Sequence, residues 1–213
     1  MNYNFCVDAS MGRTDAEQFT MTWFYRALAC SDKIDASSPN AGQRRIDLGD
    51  RFMSLWICFN SIVRDLYGES LSDNALITEA SKPSLWTELF EKNKKSLNPY
   101  LDELMKYDVK NMKTGKVRKL KTKTFEELIW VIYDIRCNLF HGRKNPYDFE
   151  GSKDFKLISL AFLILSEIIL QYLTDKELVS LAYTENYLSM AGEDIPEPTL
   201  SIDDYEEGLI FQF

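Results

Sequence analysis

Residues 124–142, TFEELIWVIYDIRCNLFHG, hold a whole helix in sequence form. Thr124 and Glu127 have the spacing of a capping box, in which a hydroxyl and a carboxylate satisfy the free amides of a first turn. Phe125, Leu128, Ile129, Ile132, Ile135 and Leu139 then recur at intervals of three and four, the period of one buried helical face. Gly142 stands where a helix-ending glycine is expected. Strand signals are scarce throughout the chain, so this pattern and its repetition elsewhere point to an all-α fold, a bundle of helices around one apolar centre.

Working outward, Phe52, Leu55, Trp56, Phe59, Ile62, Val63 and Leu66 form the stripe of a helix from about Leu48 to Tyr67, with Gly68 as its stop. Upstream, Thr14 and Glu17 repeat the capping-box spacing before Phe19, Trp23, Phe24, Ala27 and Leu28. Residues 31–45, polar with one proline and one glycine, read as a connection. Short helices are expected near 73–80, 84–93 and 98–106, with breaks at Pro83 and Pro99. Thr114-Gly115 fits either the turn of a small hairpin or an open loop. Downstream of the opening stretch, the loop GRKNPYDFEGS leads into a long helix from about Lys153 to Leu173. That helix is hydrophobic nearly all round and therefore central to the core. A further amphipathic helix is expected from about Asp175 to Met190. The organisation is one helical domain over residues 1–192 and a tail over 193–213.

Composition narrows the function. The chain has 213 residues, of which 45% are hydrophobic and 27% charged, with only 9 Gly and 6 Pro, which excludes fibrous and wholly disordered classes. The formal charge of −8 is concentrated in Glu193, Asp194, Glu197, Asp203, Asp204, Glu206 and Glu207, a run without a base. Without those seven, 26 acids face 25 bases, so the domain itself is close to neutral. The opposite bias lies in the basic loop 106–123, with eight bases and the single acid Asp108. Such a segment can follow a nucleic-acid backbone by displacing its counterions, or can simply be solvated. Cys6, Cys30, Cys58 and Cys137 are widely spaced, and His141 is the sole histidine, so reduced thiols and no metal or cofactor are expected. No leader is visible at the N-terminus. Residues Ile158 to Leu173 are interrupted by Glu167 and Gln171 and are shorter than the roughly 20 residues of a membrane span. A cytoplasmic protein with no membrane partner is the expectation.

The chemistry-bearing group is Arg136, Asn138 and His141 at the end of the opening helix, followed by Arg143 and Lys144. An imidazole titrates near neutrality and can carry a proton from a ribose 2′-OH or to a leaving oxygen. A guanidinium offers a fixed fork of donors to a phosphate whose charge grows in the transition state. Five residues along a regular helix turn two side chains about 140° apart, so Arg136 and His141 meet within one chain only if the helix unwinds near Gly142. The bland alternative is an arginine paired with an acid and a histidine capping the helix.

Residues 131–146, VIYDIRCNLFHGRKNP, resemble the signature of the HEPN family, whose R-x4-6-H motif lies at a helix end. The run Phe52-Met-Ser-Leu-Trp-Ile-Cys-Phe-Asn60 resembles the F-x-x-L-W-x-x-F-N helix of several HEPN groups. The long apolar helix that follows occupies the place of that family's next core helix, and the likeness covers about residues 48–173. It implies a HEPN-like helical bundle that dimerises so that two motifs face one cleft. It also implies a metal-independent endoribonuclease, of the kind found as toxins and phage-defence effectors, that leaves a 2′,3′-cyclic phosphate. Arg136 and His141 match the catalytic pair, with Asn138 and Cys137 in supporting positions. Arg143, Lys144, Lys116, Arg118 and Lys119 are the expected RNA-binding residues, and a cognate inhibitor or antitoxin is an expected protein partner. Cys137 stands where a polar residue is usual. Arg143 stands where toxins silenced by nucleotide addition carry a tyrosine. The alternative from another class is a non-catalytic HEPN-like module that binds nucleotide, RNA or protein.

Overall fold

A computed structural model describes residues 14–29, 41–141 and 153–178. Among these the order is α1 (Asp15–Ala29), α2 (Ala41–Tyr67), α3 (Asp73–Ser81), α4 (Leu85–Leu104), β1 (Val109–Lys110), β2 (Val117–Arg118), α5 (Phe125–Phe140) and α6 (Lys153–Asp175). The described residues are all-α apart from one antiparallel hairpin, in which Val109 pairs with Arg118 and Lys110 with Val117. Cys6, Cys30, Arg143, Lys144, the further helix expected to reach Met190, and the acidic tail lie outside the described residues.

The helix starts follow their caps. Thr14 N–H donates to Glu17 Oε2 at 2.8 Å, and Glu17 N–H donates back to Thr14 Oγ1 at 3.2 Å. At α5 the second box closes only halfway. Glu127 N–H donates to Thr124 Oγ1 at 3.4 Å, but the Glu127 carboxylate accepts from the amides of Thr122 (2.7 Å) and Lys121 (2.9 Å) instead. Those amides, Thr122's foremost, hold the Glu127 carboxyl below the usual carboxylate range.

Three expectations of element shape give way. α2 begins at Ala41 rather than near Leu48, taking in five residues read as a connection, because a polar first turn has no apolar stripe to announce it. α4 runs unbroken through Pro99. The amide that proline lacks would have bonded the carbonyl of Lys95, and both residues lie on the exposed side of the helix, where water can serve that carbonyl. Phe19 and Leu66, read as core, are instead solvent-exposed, with Phe19 edge-on to Trp23 at 6.0 Å.

One continuous core draws on every described helix and on Val109 and Leu120 beside the hairpin. Its centre is Trp86, which lies 4.9 Å from Phe59, 5.5 Å from Tyr172 and 6.3 Å from Phe125, so α2, α4, α5 and α6 meet around one indole. α6 packs mainly against α4 and α2. On length and composition α6 is long and apolar enough to cross a membrane, and 72% of its most apolar stretch is buried inside the fold. Cys58 and Cys137 are both buried, unbridged thiols.

Glu167 interrupts the apolar surface of α6, and burial pushes its carboxyl above the usual range. A carboxyl whose folded value is raised favours the native state when protonated. Its contribution is therefore present at low pH and is lost as pH rises through the folded value. Glu167→Gln is expected to melt at a higher temperature than the parent at pH 7, with the gap closing toward pH 4. Thermal unfolding at the two pH values checks this; equal gaps at both would show that the charge is irrelevant.

Candidate active site

α5 stays helical through Phe140. His141 is its C-cap, with φ −88° and ψ 11°, and its N–H donates to the carbonyl of Cys137 at 3.1 Å. The unwinding that would bring Arg136 and His141 together within one chain is thus not present up to His141. On a regular helix the two side chains leave the axis about 140° apart. His141 is exposed at the helix end.

Arg136 is largely buried, with 14% of its side chain exposed. Its guanidinium carbon lies 4.0 Å from the ring centre of Phe140, one turn along α5, and 5.7 Å from that of Trp56. Both distances fall within cation–π range. Phe140 is itself 45% exposed, so it presents an aromatic face at the surface beside the guanidinium. Nη2 lies 3.4 Å from Asp73 Oδ2 on α3, and Nη1 reaches the Cys137 sulfur only at 4.0 Å. Nε is buried without a hydrogen-bond partner among the described residues. Burial first, and the neighbouring Cys137 thiol second, push the pKa of the Tyr133 phenol up and keep it neutral.

Asn138 does not orient His141. Its Nδ2 donates to the carbonyl of Lys110 and its Oδ1 accepts from the amide of Met112, each at 2.8 Å. The amide thereby fastens the hairpin to α5. Asp134, one turn earlier, completes the fastening. It accepts from Asn111 Nδ2 at 2.7 Å and from Arg118 Nε at 2.6 Å, with only 3% of its own side chain exposed. Arg118 also lies 4.6 Å from the ring centre of Trp130. Asn111 shapes the turn, accepting from the amides of Lys113 and Thr114 through its side chain and from Gly115 through its carbonyl. Gly115 has φ +74°, a left-handed conformation that glycine adopts without strain.

The eight bases of 106–123 therefore divide. Arg118 is held by Asp134, Lys119 approaches Asp108 at 3.6 Å, Lys123 pairs with Asp102 at 2.7 Å, and Lys106 pairs with Glu103. The expectation that Arg118 reaches out to RNA is corrected by this: a guanidinium bonded to a buried carboxylate and packed on an indole is structural. Lys119 is partly neutralised. Lys116 is exposed, as are Lys110, Lys113 and Lys121, and none of the four forms an ion pair with a described residue. Among the described residues, no three His, Cys, Asp or Glu side chains gather as metal ligands.

Asp73, Arg64 and Tyr133 were not singled out as site residues from the sequence. Nothing in the chain order links Asp73 to Arg136; the association comes from α3 packing against α5. No protein-family model, no curated protein and no solved structure matches this chain.

Proposed function

We propose that this chain is a cytoplasmic HEPN-like endoribonuclease that works as a homodimer. It cleaves RNA through attack of the 2′-OH and leaves a 2′,3′-cyclic phosphate and a 5′-hydroxyl. The observation that carries the reading is the end of α5. There an exposed imidazole, His141, follows a guanidinium, Arg136, that is fixed by Phe140 and Trp56 yet retains an unpartnered Nε. The divergence of the two side chains along a regular helix favours a cleft assembled from two copies, in which Arg136 of one protomer and His141 of the other face one phosphate. Arg136 holds and neutralises that phosphate, and His141 transfers the proton. Lys110, Lys113, Lys116 and Lys121, without ion pairs among the described residues, supply positive charge for the backbone on either side. Toxin or phage-defence use, with a cognate inhibitor, belongs to the same proposal.

A second reading has its own observation. Asp73 lies 3.4 Å from Arg136 and competes with any phosphate for it, as expected of a non-catalytic module that binds nucleotide or protein. Purified full-length protein incubated with mixed RNA in EDTA separates the two. Cyclic-phosphate and 5′-hydroxyl ends forming without metal support the nuclease. RNA left intact while nucleotide or RNA is bound supports the module.

A further inference from the structure

Charged side chains from three helices converge beside α5. Arg64, near the end of α2, donates through Nη2 to Asp73 Oδ1 at 2.9 Å and through Nη1 to the carbonyls of Glu69 (2.8 Å) and Leu71 (3.1 Å). Asp73, in the first turn of α3, offers its other oxygen to Arg136 at 3.4 Å. That separation is long beside the about 2.7–2.9 Å of a charge-assisted hydrogen bond. Left to itself, a carboxylate facing one guanidinium takes two parallel N–H bonds and neutralises it. Here Arg64 occupies one carboxylate oxygen and is anchored by two backbone carbonyls, and Arg136 meets the other oxygen through one long contact rather than a closed fork. Two guanidiniums share one carboxylate. Of the two, Arg136 has the longer contact, 3.4 Å against 2.9 Å, and is the less fully neutralised.

We propose that Arg64 and Asp73 form a charge-sharing gate that keeps the Arg136 guanidinium available to a phosphate-class anion. Both are positioning residues that act through Arg136. The assignment of that anion as an RNA phosphodiester rests on the nuclease reading; the gate itself does not require cleavage. Removing Arg64 lets Asp73 close on Arg136 and lowers its affinity for phosphate. Removing the charge of Asp73 raises that affinity and makes Arg64 dispensable.

The test titrates inorganic phosphate into the full chain labelled with 15N, following the Nε–H signal of Arg136, assigned by its loss in Arg136→Lys. Arg64→Gln is expected to weaken phosphate binding about three- to tenfold, and Asp73→Asn to tighten it by a similar factor, as for a partly screened ion pair. The double variant Arg64→Gln/Asp73→Asn is expected to bind as Asp73→Asn does. Because Arg64 also bonds Glu69 and Leu71, a weakening that persists in the double variant is a structural effect and overturns the gate. An Arg136 signal that ignores phosphate in both the parent and Asp73→Asn overturns it too. If the affinities follow the expected pattern but the parent never cuts RNA, the gate stands and the nuclease reading falls. If RNA is cut but phosphate affinity is indifferent to both substitutions, the gate falls and the nuclease reading stands.

Discussion

His141→Ala is expected to slow RNA cleavage by about 10²–10⁴-fold, the usual contribution of a positioned general acid or base, with the helical fold intact. The backbone of His141 does the capping: its N–H bonds the Cys137 carbonyl, and alanine keeps that bond. The imidazole is exposed, so its loss costs stability only about 0.5 kcal/mol or less. Activity and melting temperature should therefore separate cleanly. A further consequence follows from the proposed placement of the cleft between two copies. Arg136→Ala and His141→Ala, each inactive alone, should regain part of the parental rate when mixed, because a mixed dimer can bring one intact arginine to one intact histidine. A His141→Ala protein that cuts RNA as fast as the parent would remove the proton-transfer role outright.

The largest stability effect is expected at Asp134. Asp134→Ala leaves Asn111 Nδ2 without its acceptor in a buried place and strips Arg118 of its carboxylate, for a loss of about 2–4 kcal/mol. For a chain of this size that is a fall in melting temperature of roughly 5–15 °C. Asp134→Asn should cost less, since the amide oxygen still accepts from Asn111. Hydrogen exchange locates the damage: the amides of Asn111 and Met112, which bond Lys116 and Asn138, should lose protection before those of α6. Unchanged melting for Asp134→Ala would mean that the hairpin is held by other means.

Much of the frame was legible in the sequence because it depends on local rules. The capping pairs Thr14/Glu17 and Thr124/Glu127, the stripe of α2, and the all-round apolarity of α6 each announce an element through residues close together in the chain. Pro99 misled because proline's cost depends on whether the orphaned carbonyl can be hydrated, and that is decided by which face of α4 meets solvent. The candidate site was legible only in part, and for the same physical reason. Arg136 and His141 are visible as a spacing, but the partners of Arg136 from other helices are Asp73 and Trp56, with Arg64 on the far side of Asp73. Asn138 looked like a companion of His141 because they are neighbours in sequence, whereas its amide serves a hairpin some 26 to 28 residues away. The basic loop hid a similar division, since pairing of Arg118, Lys119 and Lys123 with Asp134, Asp108 and Asp102 follows from packing and leaves no mark on composition.

The hairpin keeps its attachment points apart from its tip. Lys110, Asn111, Met112 and Arg118 grip α5, while Lys113, Thr114, Gly115 and Lys116 project beyond them, and a Cβ added at Gly115 would meet no atom within 4 Å. Evolution can therefore lengthen, shorten or recharge that tip as an independent cassette. Related chains could diverge in the charge and length of that tip while inheriting an unaltered α5.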